Sequence, residues 1–360
     1  MKIKLAFVIS IIAFTACNQK NAALQTTQES KKKALQLDTL FSQLYEMAAF
    51  NGNVLVAEQG KIIFQKSYGL ANEELKEALN NETVFELASV SKQFTAMGIV
   101  QLCKNGQLAY DDLITKYIPE LKNYENITIR HLLTHTSGIP DYIDLAQDNW
   151  NKTKIATNDD MIDLIENLNP NIRFTSNEEW EYSNTGYLLL ASIIERVSGL
   201  SFEAYLAAKI FGPLQMENTF IYRRRFAFKE VDNYAIGYFY SDSLKRKITP
   251  DELAPNRFIY LDGIVGDGMV NSNALDLLKW DRALYNNSII NDEDRKVIFS
   301  SHKANDNLET NYGFGWMIDS TTTYGKIVYH SGGWAGYIAY IERHLDNDKT
   351  VIILQNNATS

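Results

Sequence analysis

The residues with the clearest capacity for chemistry are Ser89 and Lys92, which lie three positions apart in the segment FELASVSK, residues 85–92. The apolar pattern that follows predicts a helix from about Ser89 to Lys104, and residues three apart on a helix share one face. The positive potential at a helix N-terminus favours an alkoxide on the serine and the uncharged form of the lysine amine. The pair therefore suits a serine nucleophile that is activated by a neighbouring base.

Two other short motifs follow this pair at long distances. Tyr182-Ser183-Asn184, a Y-x-N pattern, begins 93 residues after Ser89, and His330-Ser331-Gly332-Gly333 begins 148 residues after Tyr182. The glycines of the second motif would let a substrate approach the backbone closely. S-x-x-K also occurs at Ser30 and Ser300, but Ser30 falls in a polar N-terminal segment and Ser300 follows a predicted helix instead of starting one.

The elements that must position these motifs are strands at both ends of the chain and helices between them. After a helix that begins near Leu37, apolar residues on either side of Gln59-Gly60 predict a β-hairpin. The pattern predicts late strands at 327–330, 338–343 and 350–354, and helices between the two ends at 128–135, 159–168, 185–198, 201–210 and 273–286.

This order predicts an α+β fold with two domains that are not consecutive in the sequence. Residues 36–107 and 301–360 are expected to form one domain, an antiparallel sheet flanked by helices. Residues 108–300 are expected to form a mainly helical domain that is inserted into the first.

The N-terminus has the pattern of an export signal. Lys2 and Lys4 precede the apolar run Leu5–Ala16, which has the length of a signal peptide and is too short to span a bilayer. The run leads into Cys17 through small residues, which resembles the lipidation site of a bacterial lipoprotein; an ordinary cleaved secretory signal is the alternative. We expect residues 1–16 to be a lipoprotein signal peptide and Cys17 to carry lipid. The polar residues 17–35 would form a flexible tether to the periplasmic or cell-surface side of a membrane.

The composition narrows the classes of function. The 360 residues suggest about two domains, and 45% hydrophobic with 22% charged residues is ordinary for a globular protein. The formal net charge of −9 argues against a nucleic-acid partner, because such proteins usually carry a basic excess.

Two other kinds of catalytic centre are not supported by the motifs. His131 and His135 stand four apart, as in zinc proteases, but Leu132 occupies the position that needs a glutamate, and no third ligand is evident. No G-x-S-x-G elbow is present, which argues against an α/β-hydrolase. We therefore expect no metal and no cofactor, and among the five histidines only His330 has a functional context.

The three motifs, in this order and at about these distances, resemble those of the serine β-lactamase and penicillin-binding-protein superfamily, in its class C-like branch. Residues 132–140 (LLTHTSGIP), 266–268 (GDG) and 312–316 (YGFGW) also fit that branch, and Asp267 is interpreted as a turn residue. The resemblance covers about residues 50–356 and implies the β-lactamase/D,D-peptidase-like fold. Relatives usually continue into a last helix that covers the sheet. We therefore expect that helix to be missing, and the stability to be lower than in a longer relative.

The resemblance also implies a role for each motif residue. Ser89 attacks a carbonyl and becomes acylated, while Lys92 and Tyr182 act together as general base and general acid, in an order that the sequence leaves open. Asn184 binds the substrate or orients the lysine. The backbone N–H groups of Ser89 and Gly333 form an oxyanion hole, and water then hydrolyses the acyl-enzyme.

The residue at position 330 departs from dedicated class C β-lactamases, which carry lysine there. A lysine is charged at pH 7, whereas His330 would be mostly neutral and would bind the carboxylate of a penicillin or a D-Ala-D-Ala peptide less well. Gly332 and Gly333 are expected to bind the substrate, which would be a small molecule or a peptide with an ester or amide bond. We expect only weak β-lactamase activity. The protein is expected to be a monomer. The alternatives are a true β-lactamase or D-alanyl-D-alanine carboxypeptidase, and a catalytically silent penicillin-binding protein of the envelope.

Overall fold

The structure, a computed structural model, describes residues 28–253, 259–321 and 323–358. The predicted signal peptide, the predicted lipidation site at Cys17 and the first part of the predicted tether lie outside these residues. Among the residues described, no helix is both long enough and apolar enough to cross a membrane.

The described part of the chain has strand-rich ends and a mainly helical middle. The strands are β1 (Gly52–Glu58), β2 (Lys61–Tyr68), β3 (Leu70–Asn72), β4 (Glu77–Ala78), β5 (Phe85–Glu86), β6 (Phe220–Ile221), β7 (Tyr238–Ser241), β8 (Arg246–Ile248), β9 (Val270–Ser272), β10 (Met317–Asp319), β11 (Ile327–Trp334), β12 (Tyr337–His344), β13 (Lys349–Gln355) and β14 (Asn357–Ala358). The helices are α1 (28–46), α2 (Lys92–Lys104), α3 (Ile129–Leu133), α4 (Tyr142–Asn149), α5 (Asn158–Leu168), α6 (Asn184–Ser198), α7 (Phe202–Leu206), α8 (Ala274–Ala283) and α9 (Asp292–Ile298).

Helix α1 begins inside the segment that was predicted to be a flexible tether. Residues 28–35 are helical, so the predicted boundary at residue 35 is wrong. Lys33 explains part of the difference, because it contacts Glu29 one turn earlier at 3.0 Å and Glu58 of β1 at 2.9 Å. An ion pair one turn apart within a helix stabilises the helix by about 0.3–0.5 kcal/mol. The contact with Glu58 of β1 holds the helix against the sheet.

The centre of the fold is an antiparallel sheet built from the two ends of the described chain. Its spatial order is β10-β11-β12-β13-β1-β2, so β1 lies between its sequence neighbour β2 and the distant β13. The predicted antiparallel sheet and α+β fold are therefore confirmed. The predicted hairpin joins β1 to β2 through Gln59 and Gly60, which both have positive φ, as a tight hairpin turn requires.

The sheet has a hydrophobic cluster on each face. Buried and half-buried side chains alternate along β12 and β13, which is the pattern of strands with one face on a core. The inward residues join the main core, to which α2 and α6 also contribute. On the opposite face, Phe41 of α1 packs with Phe50, Val54 and Phe64 in a smaller cluster. Helix α1 therefore covers the β1–β2 end of that face.

The predicted helices of the middle region are present: α3 and α8 are shorter than predicted, whereas α5 and α6 each begin one residue earlier. The helix predicted at 201–210 is α7 followed by the π-helical turn Ala207–Phe211. Two strand pairs that the sequence did not indicate connect this region to the ends of the chain. β5 pairs with β9, and β14 pairs with β7. The predicted domain boundaries after residues 107 and 300 stay predictions.

Candidate active site

The segment that carries Ser89 is a short 3₁₀ turn, Ala88–Ser91, and α2 begins only at Lys92. The predicted start of the α-helix at Ser89 is therefore wrong by three residues. Residues i and i+3 eclipse one another in a 3₁₀ turn, which brings Ser89 Oγ within 3.2 Å of Lys92 Nζ. Ala88 has a φ of +46°, a strained conformation for a residue with a side chain.

Strand β9 holds this turn in place. The backbone N–H of Leu87 donates to the carbonyl of Val270 at 2.9 Å, and the N–H of Val270 donates to Ser91 Oγ at 3.0 Å. The second serine of the S-V-S-K sequence therefore fixes the backbone, while the first is left beside the lysine amine. The strain at Ala88 is maintained by these two bonds.

The Lys92 amine is completely buried and lies among three acceptors. Its Nζ is 2.9 Å from Asn184 Oδ1, 2.9 Å from the backbone oxygen of Asp267 and 3.2 Å from Ser89 Oγ. Ser89 Oγ is therefore one of three oxygens around this amine, and the serine hydroxyl lies within hydrogen-bond reach of the group that would take its proton.

The Asn184 side chain is oriented by Asp141, a residue that the sequence interpretation did not identify. Asp141 Oδ2 accepts the backbone N–H of Asn184 at 2.7 Å and its side-chain Nδ2–H at 3.0 Å, while Asp141 Oδ1 caps α4 through Ile143 N. Because the amide nitrogen is committed to the carboxylate, the amide oxygen faces Lys92. Burial raises the pKa of Asp141, and the bonds from Asn184 and Ile143 oppose that rise.

Tyr182 packs against the same amine. Lys92 Nζ is 5.0 Å from the centre of the Tyr182 ring. Among the described residues, no group hydrogen-bonds to the buried Tyr182 hydroxyl. In this state the serine is therefore bonded to the lysine and not to the tyrosine.

His135 lies against Tyr182, although the sequence interpretation gave it no functional context. The two ring centres are 4.4 Å apart, and His135 Nδ1 accepts the backbone N–H of Ser183 at 3.2 Å. Burial, with the nearby Lys92 charge, places the pKa of His135 well below its usual value. The signal available in the sequence was the segment LLTHTSGIP, quoted above only as a family feature. His131 has a different task, because its Nδ1 accepts Thr128 N at the start of α3.

His330 lies in the buried part of β11 with both ring nitrogens engaged. Nε2 is 3.0 Å from the Tyr312 hydroxyl and Nδ1 is 2.7 Å from the carbonyl of Ser331. The side chain is only 2% exposed, and burial together with the Lys92 charge lowers its pKa to about 3. His330 is therefore neutral at pH 7, as the sequence interpretation expected.

The glycines after His330 bring β11 against the nucleophile turn. A Cβ on Gly332 would lie 2.2 Å from the carbonyl oxygen of Leu87 and 3.0 Å from Ser89 N, so a larger residue cannot fit there. A Cβ on Gly333 would meet no atom of the described residues within 4 Å. Strand β10 pairs only with residues 327–329 of β11, so on that side this stretch of the edge has no strand partner among the residues described.

Known proteins resemble this chain in sequence and in fold. The Beta-lactamase family model matches residues 37–360. The chain belongs to the beta-lactamase family. It is 44% identical over 330 residues to "Penicillin-binding protein 4*" of Bacillus subtilis (strain 168), which covers 91% of this chain and 72% of that relative.

Solved structures of a penicillin-binding protein and of a penicillin-binding-protein homologue have the same fold. The octameric penicillin-binding protein homologue from Pyrococcus abyssi superposes with a TM-score of 0.76 at 28% identity, over 89% of this chain and 73% of that one. The penicillin binding protein from Bacillus halodurans gives 0.75 at 26% identity, over 89% and 95%. Like the family, this chain is a serine hydrolase with a β-lactamase-like fold.

In this beta-lactamase family member, Ser89 opens into a cavity of about 190 Å³. Its described lining residues are Glu86, Ala88, Ser89, Tyr142, Ile143, Tyr182, Asn184, Leu261, Ile264, Asp267, Gly268, Met269, Gly333 and Trp334. Asp267 is more than the turn residue that the sequence suggested, because its carbonyl binds Lys92 and its carboxylate accepts the Tyr142 hydroxyl at 2.8 Å. Burial raises the pKa of this carboxyl group.

The contacts of Asp141 lead to a testable prediction. We expect Asp141→Ala to lower kcat for an ester substrate roughly 10- to 100-fold, because small misplacements of reacting groups are costly and the Asn184 amide loses the partner that orients it. KM should change less, since Asp141 does not line the described cavity. Steady-state kinetics measures both constants.

Two matched variants test this interpretation. Asp141→Asn keeps an oxygen that can accept both bonds from Asn184, so it should recover much of the lost kcat. Asp144→Ala, on the exposed side of the same helix (70% exposed side chain), should behave like the unmodified protein. Equal losses in Asp141→Asn and Asp141→Ala would contradict a role through hydrogen-bond acceptance.

Proposed function

We propose that this serine hydrolase cleaves an ester or a peptide amide through an acyl-enzyme on Ser89, with weak activity on β-lactams. The observation that carries the proposal is the neutral, buried His330. Dedicated class C β-lactamases carry a lysine at the corresponding position. Its two nitrogens are engaged by Tyr312 and Ser331. A neutral ring of this kind offers no charge to a substrate carboxylate.

In the proposed reaction, Lys92 takes the proton of Ser89 as Oγ bonds to the substrate carbonyl carbon. The backbone N–H groups of Ser89 and Gly333 would bind the resulting oxyanion. When the bond to the leaving group breaks, that group takes a proton through Lys92 and Tyr182, and the acyl group stays on Ser89. Water then adds to the acyl carbon, gives a proton back through the same groups, and releases the acid and the free serine.

The contacts support distinct roles for the two basic candidates. The Ser89 hydroxyl is bonded to Lys92, whereas the Tyr182 hydroxyl is unbonded among the described residues. We therefore give the first proton transfer to the lysine. Tyr182 is free to bond the leaving group once a substrate is present. Asn184 holds the lysine, and Gly332 leaves room for β11 to approach the nucleophile.

We also propose an exported, membrane-attached protein. The support is the lipoprotein-like N-terminus, and an envelope location agrees with the relatives that are named penicillin-binding proteins. Labelled palmitate should be incorporated into the protein and lost in Cys17→Ala; incorporation that survives this change would contradict the anchor. Size-exclusion chromatography with light scattering should give a monomer, whereas a larger assembly, as in the octameric homologue, would correct that part.

The substrate preference is tested with matched reporters. We expect kcat/KM for p-nitrophenyl butyrate to exceed that for nitrocefin by at least about tenfold, because the missing charge at position 330 forgoes a charge-assisted bond of about 1.5–3 kcal/mol. Efficient nitrocefin turnover without ester turnover would favour a true β-lactamase.

A penicillin probe separates the remaining alternatives. Release of D-alanine from a D-Ala-D-Ala peptide at a higher kcat/KM than ester hydrolysis would favour a carboxypeptidase. Stable labelling of Ser89 by penicillin with no turnover of any substrate would favour the silent binding protein. Absence of labelling by both penicillin and a fluorophosphonate would contradict acyl-enzyme chemistry altogether.

A further inference from the structure

Glu86 is a buried carboxyl group in the wall of the cavity that contains Ser89. It lies on β5, three residues before the serine, and pairs with Asn271 of β9. Its side chain is only 9% exposed, yet it lines the cavity. Among the described residues, no group hydrogen-bonds to its Oε1 atom. A buried carboxyl oxygen without a partner costs folding free energy, so its presence at a binding cavity needs an explanation.

A structural ion pair does not explain this residue. The cation that acts on its charge is Arg225, which already contacts two other carboxylates: Asp251 at 2.6 and 2.8 Å, and Asp262 at 2.8 Å. Glu86 is therefore a third carboxyl group beside one guanidinium. Burial and the negative charge of Asp262 raise its pKa to about 8, so near pH 7 the group is mostly protonated until an adjacent cation favours the carboxylate.

The carboxyl groups in the cavity wall have no cationic counterpart among its described lining residues. Glu86 and Asp267 line it, and none of its described lining residues is a lysine or an arginine. Lys92 is completely buried behind Ser89 and is bonded to Asn184 and the Asp267 carbonyl. A cation that enters the cavity meets acceptors, whereas a carboxylate meets other carboxyl groups. The electrostatics therefore favour a positively charged substrate group.

We propose that Glu86 binds a primary ammonium group on the acyl part of the substrate, through a charge-assisted hydrogen bond to its unpartnered oxygen. The acyl part is the part that stays bonded to Ser89, and Glu86 shares the cavity with that serine. The preferred substrates are then amides or esters of amino acids or peptides with a free amine. This inference deepens the proposed function and rests on it.

The test compares alanine p-nitroanilide, in both D and L forms, with the N-acetylated compounds, which differ only by the loss of the charged amine. For the unmodified protein, we expect at least one enantiomer to be cleaved with a kcat/KM at least tenfold higher in the free-amine form. In Glu86→Gln, which keeps the side-chain volume, that ratio should fall to near one through a higher KM for the free amine.

A control and an acylation probe make the outcomes distinguishable. Glu195→Gln changes a carboxyl group outside the cavity, one that caps the backbone of Phe202, and should keep the ratio. Labelling of Ser89 by a fluorophosphonate shows that each variant is folded and reactive. Labelling without a preference for the free amine in the unmodified protein would overturn the inference but not the proposed function. No labelling of the unmodified protein would overturn the function itself.

If Glu86→Gln does not fold, Glu86→Asp provides the second comparison. It keeps the carboxyl group but shortens the side chain by one methylene. A free-amine preference that is weaker than in the unmodified protein, yet still above one, supports the inference. A preference that is unchanged or reversed in Glu86→Asp opposes it.

Discussion

Replacing Ser89 by alanine is expected to lower kcat/KM for p-nitrophenyl butyrate by at least about 1,000-fold. The change removes the atom that would bond to the substrate carbonyl. It leaves intact the turn that holds this atom, because the bonds from Leu87 N–H to the Val270 carbonyl and from Val270 N–H to Ser91 Oγ do not use the Ser89 side chain. The residual rate should come from the oxyanion-binding N–H groups alone. Hydrolysis assays and mass spectrometry after fluorophosphonate treatment measure the loss.

The matched control for this variant is Ser300→Ala. Ser300 belongs to another S-x-x-K sequence, which ends at Lys303, but it is exposed and follows α9. Its replacement should leave both hydrolysis and labelling unchanged. Full activity in Ser89→Ala, or labelling at another residue, would contradict the assigned nucleophile.

Replacing Lys92 by methionine is expected to cost about as much in acylation rate, again roughly 1,000-fold. Methionine has a similar length but cannot accept the serine proton. The variant also leaves Asn184 Oδ1 and the Asp267 carbonyl without their buried donor, which costs about 1–3 kcal/mol for each unsatisfied group. The free energy of unfolding should therefore fall together with the activity.

Two measurements separate these effects in Lys92→Met. Denaturant unfolding gives the loss of stability, and the rate of fluorophosphonate labelling under conditions where the variant is folded gives the loss of reactivity. Lys303→Met, in the exposed S-x-x-K sequence, should change neither quantity. A folded Lys92→Met protein that is labelled at the normal rate would show that Tyr182 or another group is the base.

The sequence predicted the elements of this site better than their local geometry. The order of strands and helices followed from hydrophobic periodicity, and the three spaced motifs indicated the family that the comparisons confirm. The spacing could not reveal the 3₁₀ turn at Ala88–Ser91, because β9, which lies about 180 positions further along the chain, pairs with the preceding strand β5 and bonds to the turn. A tertiary contact here overrides the local helical pattern.

The residues that the sequence interpretation missed act through contacts with others. Asp141 orients Asn184, which in turn contacts Lys92, and His135 packs on Tyr182 and accepts the backbone N–H of Ser183. Neither belongs to a spaced catalytic pattern, so only the folded chain reveals them. The error at α1 is of the same kind, since polar residues 28–35 become helical where Lys33 finds Glu58 on the neighbouring strand.

The position of β1 between β2 and β13 also has a consequence for synthesis of the chain. β13 begins about 280 residues after β2 ends, which is roughly 15 to 55 s of translation at about 5–20 residues per second. During that time one edge of β1, a strand of mostly buried residues, has no partner. Unpaired apolar edges are templates for aggregation. The yield of soluble protein in a cell therefore depends on how well this edge is protected while the ribosome completes the chain.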